Sequence, residues 1–187
     1  MTRTGAVRRA TTDDVWAVHR TARESWHAAY DDLLGPDRVD EIVDDWYALG
    51  DLESSIADAT GREDALFLVV TAGERRADGP KETKATGVDD ADDCLGFAHL
   101  VPWPEDRTVG YLARIYVTPD HWGEGIGTTL LEHLEDEIDA FERFRLAVLA
   151  GNDVGVSFYE SAGFQRVTTR ETDLGDGLEE YVYEKRL

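Results

Sequence analysis

The sequence predicts an α/β fold, and three observations carry that prediction. Residues 109–117 read as an apolar strand that runs through a glycine-rich turn straight into an amphipathic helix. On that helix Ile126, Leu130, Leu131, Leu134 and Ile138 share one stripe. Short continuous apolar runs of strand length, at 65–70 and 94–101, stand between longer segments of helical spacing. The closing segments 165–171 and 179–186 are joined by Asp173-Leu174-Gly175-Asp176-Gly177 and read as an antiparallel hairpin.

In chain order, residues 6–9 (AVRR) form a first strand. Thr11-Thr12-Asp13-Asp14 then supplies capping hydroxyls and first-turn acids to a helix. Val15, Val18, Ala22, Trp26, Ala29 and Leu33 give its apolar stripe, and Gly35-Pro36 breaks it. A second helix follows over 37–49, with Pro36 near its first turn and Val39, Ile42, Val43 and Trp46 on one side. The runs 65–70 and 94–101 are buried strands that pair with each other. Between them, 73–93 is polar and far too long for a hairpin loop. It reads as a mobile insertion, with a lid over the site as the alternative. Residues 102–106 turn the chain into the central strand. That strand stops at Pro119, which lacks a ladder donor and biases Thr118 toward extended geometry. After the helix of 126–138 come a strand at 145–150, a helix opening at Asn152 and closed by Gly163, and the final hairpin. No internal repeat is present.

A length of 187 residues suits one domain, 1–187, with a substantial core. No apolar run approaches the roughly 20 residues of a membrane helix. The N-terminal stretch lacks the apolar core of a secretory signal, which makes the cytoplasm the default location. Cys94, the single cysteine, excludes an intrachain disulfide and a cysteine-based metal cluster, and reads as a small buried hydrophobe. The net charge of −21, from 19 Lys and Arg against 40 Asp and Glu, disfavours nucleic acid as a partner. The acids are dispersed in pairs along the chain and Lys is scarce. That surface resembles the proteins of salt-in halophiles, where counterions screen the repulsion; an ordinary acidic enzyme is the alternative.

Between the central strand and its helix stands Trp122-Gly123-Glu124-Gly125-Ile126-Gly127-Thr128. Glycines let backbone N–H groups approach a ligand closely, and a helix N-terminus offers unpaired donors and partial positive charge, so a pyrophosphate suits the place. A turn that only reverses the chain is the alternative. The nucleotide triphosphate loop and the dinucleotide fingerprint both fit badly, lacking Gly-Lys-Ser/Thr and the right glycine spacing. The stretch resembles motif A of the GNAT superfamily of N-acetyltransferases, whose Gln/Arg-x-x-Gly-x-Gly/Ala pattern maps onto Trp122 through Gly127. Trp122 stands where the family usually has Gln or Arg, so the backbone cradle carries over more firmly than a side-chain contact. Residues 152–164 (NDVGVSFYESAGF) resemble motif B, with the Asn start, the Phe158-Tyr159 pair and the Gly163-Phe164 end in register.

Together the motifs imply a mixed sheet of about seven mostly antiparallel strands flanked by about four helices. Acetyl-CoA would lie in a cleft where the strands 109–118 and 145–150 splay. The resemblance implies cofactor contacts from Ile115 and Val117 to the pantetheine arm, and from Trp122, Gly123, Glu124, Gly125, Ile126, Gly127 and Thr128 around the pyrophosphate. Asn152, Phe158 and Tyr159 fall on the thioester side. The implied reaction is direct attack of a neutral amine on the thioester. Tyr159 matches the family's acid toward the leaving thiolate, a task that suits a phenol of pKa near 10. Asn152 would orient the cofactor; a helix N-cap is its other reading. An N–H near Val117 is the implied oxyanion donor. Relatives often carry Glu as the base where this chain has Tyr111, which leaves His99, Glu105 and Tyr111 as candidates. The first two helices would shape the acceptor side, with His27, Tyr30 and Trp46 as candidate lining or core. Arg143 or Arg145 reads as a contact to the nucleotide's 3′-phosphate, or as surface. The five histidines show no metal-site spacing, so no metal is expected. The implied partners are acetyl-CoA and an amine acceptor, with no nucleic acid and no membrane; a homodimer is left open. A non-catalytic acyl-CoA sensor and an interaction module with an empty cradle are the competing functions.

Overall fold

The computed structural model describes residues 5–72 and 94–187. The insertion expected at 73–93, and a lid there, lie outside the described residues. In chain order the elements are β1 (Ala6–Arg9), α1 (Val15–Leu34), α2 (Pro36–Trp46), α3 (Leu49–Ala59), β2 (Leu66–Thr71), β3 (Cys94–Trp103) and β4 (Asp106–Val117). Then follow α4 (Ile126–Glu137), β5 (Arg143–Leu149), α5 (Asp153–Ser161), β6 (Gln165–Glu171) and β7 (Glu179–Arg186). Among the described residues the strands make one seven-stranded sheet in the order β1-β2-β3-β4-β5-β7-β6. β4 and β5 run parallel; the other neighbours are antiparallel. The mixed, mostly antiparallel sheet is as expected.

The unbroken apolar run of β2 has a physical reason: both faces of the sheet are covered. Phe67 and Val69 pack into the cluster under α1, α2 and α3, while Leu66, Leu68 and Val70 pack with Leu130, Leu131 and Leu134 of α4. Cys94 is buried in the first cluster, as expected of a small hydrophobe, and burial pushes its thiol up to about 11.

Two elements differ from the sequence expectation. Among the described residues there are five helices where about four were expected, because α3 follows α2 where the second helix was expected to end. Its buried side is only Leu52, Ile56 and Ala59, one residue per turn, and Gly50 and two serines weaken its helix signal. β3 also runs past the expected turn to Trp103 and pairs there with Asp106, leaving Pro104 and Glu105 as the hairpin tip. Pro102 is tolerated because the register shifts between it and Trp103.

The feature that positions the site is where β4 and β5 separate. They pair at Val109↔Arg143, Gly110↔Phe144 and Tyr111↔Arg145 and no further. β4 continues to Val117 against β3, and β5 continues to Leu149 against β7. The Thr118 N–H donates to the Leu95 carbonyl at 2.9 Å. By the alternation of an antiparallel ladder, the backbone groups of Val117 and Ile115 therefore point away from β3, into the gap.

Candidate active site

The gap opens into a cavity of about 610 Å³ walled by α1, the end of β4, the glycine turn, the end of β5 and α5. Of the residues expected around a cofactor, Ile115, Val117, Trp122, Gly123, Gly125, Ile126, Gly127, Thr128, Asn152, Phe158 and Tyr159 all line it. Glu124 does not. Its carboxylate instead accepts a bond from His121 Nδ1 at 2.8 Å.

The turn is built for close approach. Gly123 and Gly125 have φ of 80° and 85°, and no atom lies within 4 Å of where a Cβ would stand on either. Gly125 caps α4 with no side-chain bond, so the first-turn N–H groups of Ile126, Gly127 and Thr128 have no cap acceptor among the described residues. Gly127 serves another purpose: a Cβ there would meet the Phe158 ring at 3.0 Å, so this glycine lets α4 approach α5. Trp122 donates its indole N–H to the Val117 carbonyl at 2.8 Å, and Ser25 Oγ donates to the same oxygen at 2.6 Å. The tryptophan in place of Gln or Arg thus ties the turn to the strand end. Its ring still walls the cavity.

α5 carries the other side. The Asn152 carbonyl Oδ1 accepts from the Gly155 N–H at 2.9 Å, a helix N-cap, and its Nδ2 donates to the Tyr30 hydroxyl at 2.9 Å. At the far end, Gly163 (φ 92°) closes the helix. Gly163 N–H bonds the Glu160 carbonyl and Phe164 N–H bonds the Tyr159 carbonyl, with Phe164 and Tyr159 packed edge to face. This locks Tyr159 in an aromatic nest of Phe158, Phe164 and Tyr183. Burial, with the neighbouring phenols Tyr116, Tyr30 and Tyr111, holds its pKa well above the ordinary value, so it stays protonated. Among the described residues nothing accepts the Tyr159 hydroxyl proton.

Comparison with known proteins bears on this geometry. A profile of the acetyltransferase (GNAT) family matches residues 38–164. The chain belongs to the GNAT acetyltransferase family. The spermidine N(1)-acetyltransferase of Thermoplasma acidophilum is 26% identical over 180 residues, 95% of this chain and 97% of that protein. The ribosomal protein bS18-alanine N-acetyltransferase of Escherichia coli (strain K12) is 37% identical over 75 residues, 38% of this chain. The match spans about half, 51%, of that enzyme's length. Among solved structures, the PaiA N-acetyltransferase of Thermoplasma acidophilum in complex with coenzyme A superposes with a TM-score of 0.76 at 24% identity. That match covers 97% of this chain and 98% of the other and supports the fold.

The candidate bases of this GNAT protein stand apart from the cavity. Glu105 is at the β3–β4 hairpin tip. Tyr111 is in the last paired position before β4 and β5 part, its ring tilted against Trp103 at 4.9 Å. His99 is buried against Phe67, 4.8 Å between rings, with Nδ1 accepting from Arg114 at 3.3 Å. Burial, then the Arg114 charge, lowers its pKa from 6.5 to about 3, so it is neutral and weakly basic. This predicts an acid liability. The folded state leaves His99 neutral while the unfolded state protonates it near pH 6.5, so stability falls as pH drops through the window from about 6.5 to 3. Between pH 7 and 5 this group should cost about 2 kcal/mol. Denaturant melts at both pH values should show a smaller difference in His99→Asn; equal differences would refute the assignment.

On the acceptor side, Tyr30 lines the cavity but His27 and Trp46 do not. His27 sits between Asp31 at 2.7 Å and Asp40 at 3.0 Å. Trp46 stands edge-on to Trp26 and walls a separate groove with Arg170 and Glu180. Arg143 and Arg145 are likewise away from the cavity. Arg143 pairs with Asp106 at 3.0 Å and Arg145 with Glu184 at 2.5 Å. Ser25, Tyr116 and His121 line the cavity without having been singled out. For Ser25 and Tyr116 no local signal existed; His121 adjoined the motif and could have been included.

Proposed function

We propose that this GNAT protein transfers the acetyl group of acetyl-CoA to a primary amine by direct attack. One observation carries the reading: an unpaired strand edge, a left-handed glycine turn at a helix start and the Tyr159 phenol converge on a single cavity. The residues fit the cofactor, which supplies an activated thioester when bound. The amides of Ile126, Gly127 and Thr128, at the positive end of α4, hold the pyrophosphate. The backbone edge at Ile115 pairs with the pantetheine arm as an added strand would. The Val117 N–H steadies the carbonyl oxygen as negative charge develops there. Tyr159 gives its proton to the departing thiolate. No carboxylate lines the cavity among the described residues, and the one imidazole that does, His121, is bonded to Glu124 outside it, so we assign removal of the amine proton to water.

The relatives' names set the first acceptors to try, spermidine and an alanine-terminated peptide. CoA release should appear with at least one amine of such a panel, assayed in molar KCl. Tight acetyl-CoA binding with no turnover on any amine would favour a non-catalytic acyl-CoA sensor instead.

The charge of −21 leads to a salt prediction. Protein and CoA are both anionic, and raising KCl from about 0.1 M to molar shrinks the Debye length from about 10 to about 3 Å. Both the melting temperature and CoA affinity should rise. A fall in both across that range would defeat the halophile-like reading of the surface.

A further inference from the structure

Tyr30 presents an unusual hydrogen-bond account. It lies on α1, is 5% exposed and lines the cavity beside Asn152, the partner of its hydroxyl. The direction of its bond to Asn152 is fixed. Asn152 Oδ1 is committed to the Gly155 N–H, which can only donate, so the atom 2.9 Å from the Tyr30 oxygen is the amide Nδ2. Tyr30 therefore accepts from Asn152 and its own proton must go elsewhere. Among the described residues nothing takes it. Burial, then the nearby Tyr116 phenol, raises the Tyr30 pKa, so the proton stays on the oxygen at neutral pH. A buried donor with no protein acceptor, on a cavity wall, is a group awaiting a ligand.

The chemistry of the proposed reaction selects that ligand. An ammonium has no lone pair to accept the bond. A neutral amine has one, but a donor on it would occupy the electrons needed for attack. The leaving sulfur falls to Tyr159. What remains is the carbonyl oxygen of the thioester, which accepts in the ground state and more strongly as charge builds on it.

We propose that Tyr30 donates its hydroxyl proton in a hydrogen bond to the acetyl carbonyl oxygen, opposite the β4 edge, and that Asn152 is the positioning residue that aims it. Tyr30 thereby becomes a catalytic residue supplied by α1, and Asn152 joins three functions in one side chain: the cap of α5, the orientation of Tyr30 and a wall of the cavity. The assignment rests on the acetyltransferase reading above.

The test compares two ligands with no amine present, so it does not depend on finding the acceptor. Affinities for free CoA and for acetyl-CoA are measured by calorimetry in wild type, Tyr30→Phe, Asn152→Ser and the double variant. Ser retains an N-cap oxygen but loses the donor to Tyr30. Tyr30→Phe and Asn152→Ser should each bind free CoA within about twofold of wild type. Each should bind acetyl-CoA about three- to tenfold more weakly, the loss of one hydrogen bond. Because the two residues act through one bond, the double variant should be no worse than the weaker single. An unchanged CoA to acetyl-CoA ratio in Tyr30→Phe would overturn the proposal, as would equal weakening of both ligands, which is the signature of a merely structural tyrosine. A wild type that binds neither ligand would bring down the acetyltransferase reading itself.

Discussion

Tyr159→Phe should lower kcat by about 10²–10⁴ while leaving KM for acetyl-CoA nearly unchanged. The variant keeps the ring, and the ring is what the fold uses: it packs against Phe158, Phe164 and Tyr183. The hydroxyl makes no hydrogen bond to any described residue, so removing it strands no partner and should change stability by less than about 1 kcal/mol. A residue that mattered only for packing would therefore show almost nothing on either measure. Proton donation to a thiolate is different, because the loss falls on the transition state alone. Burial keeps the phenol protonated, so the wild-type rate should not fall off through its ionisation until well above pH 10. Steady-state kinetics of the variant with any accepted amine decide the matter. Retention of more than half of wild-type kcat, with chemistry limiting turnover, would show that Tyr159 is packing.

The fold was legible wherever a single element carried its own pattern. The stripe of α4 and the two-faced apolar run of β2 were readable, because helical spacing and burial on both sides of a sheet leave direct marks on sequence. α3 was missed because a short helix burying one residue per turn, with Gly50 near its start, leaves almost no mark. The site split in the same way. The glycine turn and the α5 wall are contiguous segments, and all their expected residues except Glu124 reach the cavity. The α1 wall is not contiguous with either. Ser25 meets Val117 across 92 residues and Tyr30 meets Asn152 across 122. No local pattern encodes such a meeting. The base candidates stand apart from the cavity for a related reason: strand alternation says that neighbours face opposite ways but not which face meets the ligand. His99 and Arg114, paired across β3 and β4, turned out to lie beneath α3 and α2, where Arg114 bonds Ser55 and the Trp46 carbonyl.

Gly125→Ala should weaken CoA binding at least tenfold, about 1.4 kcal/mol, and a matched control separates that loss from simple strain. Gly125 holds φ 85° and ψ 5°, a left-handed conformation that costs a residue with a Cβ about 1–2 kcal/mol. No atom lies within 4 Å of the added methyl, so strain rather than collision sets the cost to the fold. Gly61 is in the same position, with φ 76° and nothing within 4 Å, but it follows the end of α3, walls a separate groove with Arg9 and Phe67 and does not line the cavity. Gly61→Ala and Gly125→Ala should therefore lose similar stability in thermal or denaturant melts. They should differ in binding. At Gly125 the methyl stands in the open space before the unpaired amides of Ile126, Gly127 and Thr128, and any backbone relaxation turns those amides away from a common target. At Gly61 neither effect reaches the ligand. Calorimetric titration of both variants with CoA measures the difference directly, and equal affinities in the two would mean that the glycines of this turn shape only the chain.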